Sequence, residues 1–347
     1  MWDVPLAEVG PTGEDKGDGG KYVLLAPDYK GGVPVGYYPI RMETYDGFWL
    51  MRTIPKSNSP SDIEDAISLL KKISMYPLSK ANAPPTQRFI DAYGKLWNGI
   101  PRMDEGFYAI LARMVNEEPV IAHDLAMMDI LRSIGIEKGK EFKPDAARTA
   151  ILKSAIQEAK AWLINEQRSQ SDAFWDGSHW VGVVATGVKS QFTFRTADML
   201  DYDSRGFLNF YAWAPPKKAG EATYYITAFS DHNDRPLTGD KTYRLHVPDD
   251  VPAKQYWSVT VYGADTAGFV REAPVISLDS YNEKTKKKSD GSIDVYFGPH
   301  PPTGQENNWV ATPEGGRWFA SFRLYGPEKR LFERTWKLPD LEQIANR

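Results

Sequence analysis

Cysteine is absent from the 347 residues. Disulfides, thiolate catalysis and cysteine-held metals are therefore excluded. Histidine is scarce: five stand at 123, 179, 232, 246 and 300, in none of the spacings that zinc sites share. No structural metal and no cofactor are expected. No apolar run approaches the ~20 residues of a membrane span. Residues 1–10 lack the basic start and apolar centre of a signal peptide. Net charge is −4 and there is no long basic stripe, so nucleic acid is not an expected partner. The one basic cluster, Lys284 with Lys286, Lys287 and Lys288, adjoins Asp290-Gly291 and reads as a solvated hairpin tip. The Gly-x-Ser-x-Gly elbow, His-Glu-x-x-His and the phosphate loop are missing too.

What is abundant is aromatic. Aromatics make up 13% of the chain, with 11 Trp and 18 Tyr. Such side chains bury large areas yet carry a polar tip. They suit β-sandwich cores, and equally the flat faces on which sugars stack.

The stretch 241–327 reads as strand after strand: 243–247, 256–262, 276–278, 293–297 and 317–324. Asp290-Gly291, 299–302 and 313–316 supply the turns between them. An antiparallel β-sandwich with one buried face per sheet is predicted.

Upstream, strands are expected at 21–26, 37–41 and 47–53, too few for a closed β domain. Helices follow. Ser61 or Asp62 caps one running to about Tyr76, with Ile63, Ile67, Leu70 and Ile73 on its face. A second spans 86–98 (Phe89, Tyr93, Leu96, Trp97), and Asp104 caps a third (Phe107, Tyr108, Leu111, Met114). A fourth covers 123–134, stopped by Gly135. Pro144 opens the longest, to about Gln167, with Ile151, Ala155, Ile156, Ala159, Trp162 and Leu163 as its stripe, of which Ile151, Ala155, Trp162 and Leu163 are expected to be largely buried. Strands are predicted at 180–184, 191–194 and 224–229. Residues 199–211 read equally as a short helix or an irregular loop. The tail 340–347 reads as one helical turn. The division is then 1–60, a partial β lobe; 61–170, a helical layer; and 171–347, the sandwich. The fold class is α+β: two jelly-roll-like β-sandwich lobes bridged by helices, the first lobe incomplete.

Four places carry groups that could do chemistry. Trp175, Asp176, Ser178, His179 and Trp180 combine a carboxylate, a hydroxyl and an imidazole with two indoles. That mixture suits a polar ligand at a domain junction; the bland reading is a turn entering a strand. Asp201, Asp203 and Arg205, with Asp198, could hold a polar ligand or a hard cation, though the EF-hand glycine and glutamate are missing. Asp231 and His232 are a third pair. Asn308 and Trp309 suit carbohydrate recognition, or a turn with one buried indole.

Particular residues carry a resemblance. Gly17–Gly20 with Tyr22-Val23-Leu24, Asp28-Tyr29-Lys30-Gly31 and Gly36-Tyr37 resemble the later part of the domain-of-unknown-function family 1254. Trp257 to Tyr262, Asp290-Gly291-Ser292, Asn308-Trp309 and Arg323-Leu324-Tyr325-Gly326-Pro327 resemble family 1214. The resemblance implies a bacterial polypeptide, periplasmic or secreted, with a further β segment and a signal peptide ahead of Trp2. It implies no catalytic residues. Two functions stand open. One is a binding or structural module presenting a groove for a glycan or small polar ligand. The other is a hydrolase-like enzyme using carboxylates and histidine.

Overall fold

The computed structural model describes residues 4–92, 95, 98–166, 173–182, 189–211, 217, 220, 222–270 and 273–345. In chain order the elements are β1 (Tyr22–Leu25), β2 (Tyr38–Arg41), α1 (Pro60–Lys71), α2 (Gly106–Glu117), α3 (Leu125–Ser133), α4 (Ala146–Glu166), β3 (Trp180–Val181), α5 (Tyr202–Phe210), β4 (Thr223–Ala228), β5 (Thr242–Val247), β6 (Ala253–Gly263), β7 (Ser277–Asp279), β8 (Ile293–Gly298), β9 (Trp309–Ala311), β10 (Trp318–Pro327), α6 (Lys329–Phe332) and β11 (Glu342–Ile344). The fold is α+β. It divides into two compact units, one of Met1–Trp49, Ile100–Gln170 and Lys189–Lys218, the other of Leu50–Gly99, Ser171–Val188 and Ala219–Arg347.

In the first unit β1 and β2 pair in parallel. Its helical core joins Tyr108, Ala112 and Val115 of α2 to Leu152 and Ile156 of α4 and to Ile136. The spacing 108, 112, 115 puts the α2 residues on one stripe. Of the expected stripe of α4, Ile156 is buried beside Leu152, but most of the rest is not. Ile151 is 68% exposed and Trp162 is 41% exposed; Ala155 is exposed and Leu163 half-buried. Apolar residues run all round this helix, so its periodicity selects no face. The strand expected at 191–194 is also absent. Gln191, Phe192 and Phe194 have positive φ, and a turn buries both phenylalanines. Their alternation comes from that turn rather than from a pleated ladder. Residues 202–210 of the ambiguous stretch are helical.

In the second unit α1 begins where Ser59 accepts from the Asp62 amide at 3.3 Å, with Pro60 in the first turn. It stops at Lys71, short of Tyr76, and buries no residue, so Ile63 and Ile67 are exposed. The strand expected at 47–53 is irregular chain, as are residues 86–92 of the expected second helix. Tyr93, Leu96 and Trp97 of that helix, and Val183 and Val184 of the strand expected from Trp180, lie outside the described residues.

Two sheets build the sandwich, one in the order β3-β4-β10-β6-β7 and one in the order β11-β5-β8-β9. All pairs are antiparallel except β8–β9. The tail forms β11 beside β5 instead of a helical turn. Strand alternation makes the core. Trp257, Val259 and Val261 of β6, Ala320, Phe322 and Leu324 of β10, Leu245 and Val247 of β5, and Val295 and Phe297 of β8 share one buried cluster. The residues between them face outward. On the five-stranded sheet that outer face carries small hydroxyl residues, Thr227, Ser258, Thr260 and Ser321, all buried. It also carries Tyr225, Tyr256, Arg323 and Tyr325.

Candidate functional site

Asp176-Gly177 forms a turn in which the Ser178 amide donates to the Trp175 carbonyl at 2.9 Å; Gly177 has φ +68, a conformation that favours glycine. Trp175 is 4% exposed and Trp180 is 0% exposed. Their indole N–H groups donate to the carbonyls of Trp336 at 3.0 Å and Pro339 at 2.9 Å. Both rings are therefore core, with their polar tips satisfied inside it. Asp340, whose role the sequence did not reveal, organises the remaining groups. Ser178 Oγ donates to it at 3.0 Å and the His179 amide at 2.9 Å, while His179 Nδ1 lies 2.8 Å from its second oxygen. His179 Nε2 stands 3.4 Å from Asp234. Ser178 Oγ also accepts from the Trp180 amide at 3.1 Å, so this hydroxyl is not aimed at the imidazole as a nucleophile would be. Asp176 is exposed.

The other sequence candidates hold local structure. Asp201 caps α5 through the Ser204 amide at 3.1 Å, Asp203 is exposed in its first turn, and Arg205 pairs with buried Asp124 at 3.0 Å. Asp231 is buried and accepts from the amides of Asn233 and Arg235 at 2.9 and 3.0 Å. His232 is exposed, with Nε2 2.9 Å from the Asn233 side-chain Nδ2. Asn308 is 2% exposed and binds the backbone of Lys286 and Asp294. Trp309 is buried and donates to the Gly298 carbonyl at 2.9 Å. Among the described residues no three His, Asp or Glu side chains gather as ligands of one metal.

A different cluster lies on the outer face of the five-stranded sheet. Register places Tyr325 opposite Tyr256, and Arg323 opposite both Tyr225 and Ser258. Tyr256 stacks on Tyr325, centroids 4.3 Å apart and planes 12° apart, and on its other side packs against Tyr281 at 5.1 Å. The hydroxyls of Tyr225 and Tyr325 are 3.2 Å apart. Arg52 Nη1 donates to the Tyr225 hydroxyl at 2.9 Å. The Arg323 guanidinium lies 5.0 Å from the Tyr225 ring centre and 5.4 Å from that of Tyr262, within cation–π range. Beside this cluster opens a groove of about 330 Å³, lined by Arg52, Ile54, Leu70, Tyr256, Tyr325 and neighbouring chain.

The hydroxyls are electrostatically unlike. Burial, together with the nearby Tyr325, pushes Tyr225 up to about 12. Burial and the nearby Tyr325 hydroxyl raise Tyr256 as well. Burial opposes ionisation of Tyr325 too. The neighbouring Tyr225 and Tyr256 hydroxyls, with the charges of Arg323 and Arg52, outweigh it and hold Tyr325 below the usual tyrosine range. A buried hydroxyl poised in this way can exchange a proton or hold a polar ligand atom.

Residues 221–329 match a family model described as protein of unknown function DUF1214, and residues 1–77 match that of DUF1254. Matches to both models thus lie in one chain. The tyrosines and Arg323 of the cluster lie in the DUF1214 segment and Arg52 in the DUF1254 segment. His179 and Asp340 lie in neither. Among solved structures the chain is similar to the VPA0106 protein of Vibrio parahaemolyticus, at 17% identity and a TM-score of 0.49, over 99% of this chain and 84% of that one. It is also similar to an uncharacterised protein of Burkholderia cenocepacia, at 16% identity and a TM-score of 0.27, over 69% of this chain and 49% of that one. No curated protein matches.

Proposed function

We propose that this DUF1254–DUF1214 protein is a binding module and that the tyrosine–arginine groove receives a small polar ligand, a glycan among the candidates. One observation carries the reading. A concavity large enough for a small molecule is lined by aromatic faces and by hydroxyl and guanidinium donors, and none of its lining residues is a carboxylate. Aromatic faces flanked by donors both stack and hydrogen-bond. Calorimetric titration with maltotriose, cellotetraose and their acidic counterparts tests it. Binding should be lost in Arg52→Ala, an exposed residue whose removal leaves the melting temperature nearly unchanged. Binding that survives Arg52→Ala and Tyr256→Ala would place the ligand elsewhere.

A hydrolase is the second reading, favoured by the Asp340–His179 pair, which orients an imidazole as a general base requires. Hydrolysis of nitrophenyl esters and glycosides abolished by His179→Gln would support it. No activity in the parent protein would count against it. The periplasmic or secreted setting belongs to the same proposal and rests on the family resemblance; cell fractionation checks it. Among the described residues no helix is long and apolar enough to cross a membrane.

A further inference from the structure

We propose that the groove is an oxyanion site, which takes a sugar-sized ligand by a carboxylate or phosphate group held by Arg52 and the tyrosine hydroxyls, with Arg323 behind them. This rests on the binding role proposed for the same groove.

Three observations carry it. The first is unneutralised charge. Several arginines elsewhere are paired: Arg102 with Asp104, Arg132 with Asp129, Arg205 with Asp124, Arg244 with Glu342 and Arg330 with Asp250. Arg52 and Arg323 share one patch and form no ion pair among the described residues. Arg323 Nε is buried and has no hydrogen-bond partner among them. Two guanidinium groups so placed favour an anion that neutralises both.

The second is a chain of polar groups. Arg52 donates to the Tyr225 oxygen, and the Tyr225 and Tyr325 hydroxyls are 3.2 Å apart, where either can donate. Tyr256 stacks on Tyr325. When Tyr225 donates, Tyr325 has its own proton to offer a ligand in the groove it lines. Such a relay aims donors and positive charge at one place.

The third is where the acids are. Asp62 and Asp279 act on the aromatic stack at Tyr281, the end away from Tyr325. The field that holds Tyr325 low is the field an added oxyanion would feel.

The test uses three sugars of one scaffold: glucose, glucuronate and glucose 6-phosphate. Each is titrated into the full chain, into Arg52→Ala and into Tyr325→Phe at low ionic strength, with melting temperatures recorded to confirm folding. At least one anionic sugar should bind about 10-fold or more tighter than glucose, the gain expected of a charge-assisted contact. Whether carboxylate or phosphate is preferred identifies the source of the anion. Arg52→Ala should remove that gain, and added salt should weaken it. Anion binding should also raise the pH at which Tyr325 ionises, read from the tyrosinate absorbance that Tyr325→Phe abolishes. Equal binding of all three sugars overturns the oxyanion site and leaves a groove for neutral ligands. Anion binding indifferent to Arg52→Ala overturns it as well. No binding of any of the three, or of neutral oligosaccharides, overturns both this site and the binding role.

Discussion

Asn308→Ala should destabilise the sandwich by about 3 kcal/mol. Three hydrogen bonds fix this buried amide. Its oxygen accepts from the Lys286 amide at 2.8 Å, and its nitrogen donates to the carbonyls of Lys286 and Asp294, each at 2.9 Å. Each such bond contributes about 1 kcal/mol net, and a buried partner left unsatisfied costs ~1–3 kcal/mol. Water entering the small vacated space offsets part of that, which returns the total to about 3 kcal/mol. Asn308→Asp is the sharper variant. It keeps the acceptor for the Lys286 amide but sets a carboxylate oxygen against two carbonyls. It should therefore cost more at neutral pH and recover as acid protonates it. Equilibrium urea denaturation, followed by tryptophan fluorescence, gives both values. Hydrogen exchange at the Lys286 amide localises the effect. A loss below about 1 kcal/mol in Asn308→Ala with unchanged exchange would refute the reasoning and free Asn308 for ligand recognition.

Trp162→Ala should change stability by less than about 1 kcal/mol, because the indole is half in solvent, whereas Phe322→Ala, which opens the sandwich core, should cost ~3–5 kcal/mol; urea denaturation of the pair separates them. Gly239→Ala should cost at least ~1–3 kcal/mol, since a Cβ there would fall 1.5 Å from the Pro313 carbonyl oxygen; a neutral substitution would mean that this turn relaxes freely. Asp294 is buried, which alone would raise its pKa, but Lys288, His246 and Arg244 outweigh that and lower it. Its contribution to stability is therefore present above the unfolded carboxylate range and is lost as pH falls through its own lowered pKa. Asp294→Asn should flatten the acid limb of a stability–pH profile, and an unaltered acid limb would contradict the pairing.

Much of the sandwich was legible because one physical pattern dominates it. In β6 and β10, alternate residues must leave water together, and Trp257, Val259 and Val261 with Ala320, Phe322 and Leu324 announce that. Asp290-Gly291 announces its turn, with Gly291 at φ +83 and Asp290 accepting from the Ser292 amide. The helix face of α4 was not legible, because apolar residues on every side give burial no preferred direction. Nor was the tyrosine–arginine cluster. Arg323 and Tyr325 stand two apart and so share a face, which the sequence does show. Tyr225 and Tyr256 reach them only through the registers of β4 and β6 on β10, and register depends on pairing rather than on local composition. Arg52 comes from chain expected to be a strand. Asp340 is 161 residues from His179, and no short-range signal joins them.

The central claim is that ligands meet this protein at Tyr256 and Tyr325, and nuclear magnetic resonance on the folded chain addresses it directly. Tyrosines labelled at Cζ and assigned by single Tyr→Phe substitutions would be titrated with maltotriose, glucuronate and glucose 6-phosphate. The account predicts saturable shifts at Tyr256 and Tyr325, smaller ones at Tyr225, and none in Arg52→Ala. Shifts confined to the side chains of Asp176 and His179, with the three tyrosines unmoved, would contradict it.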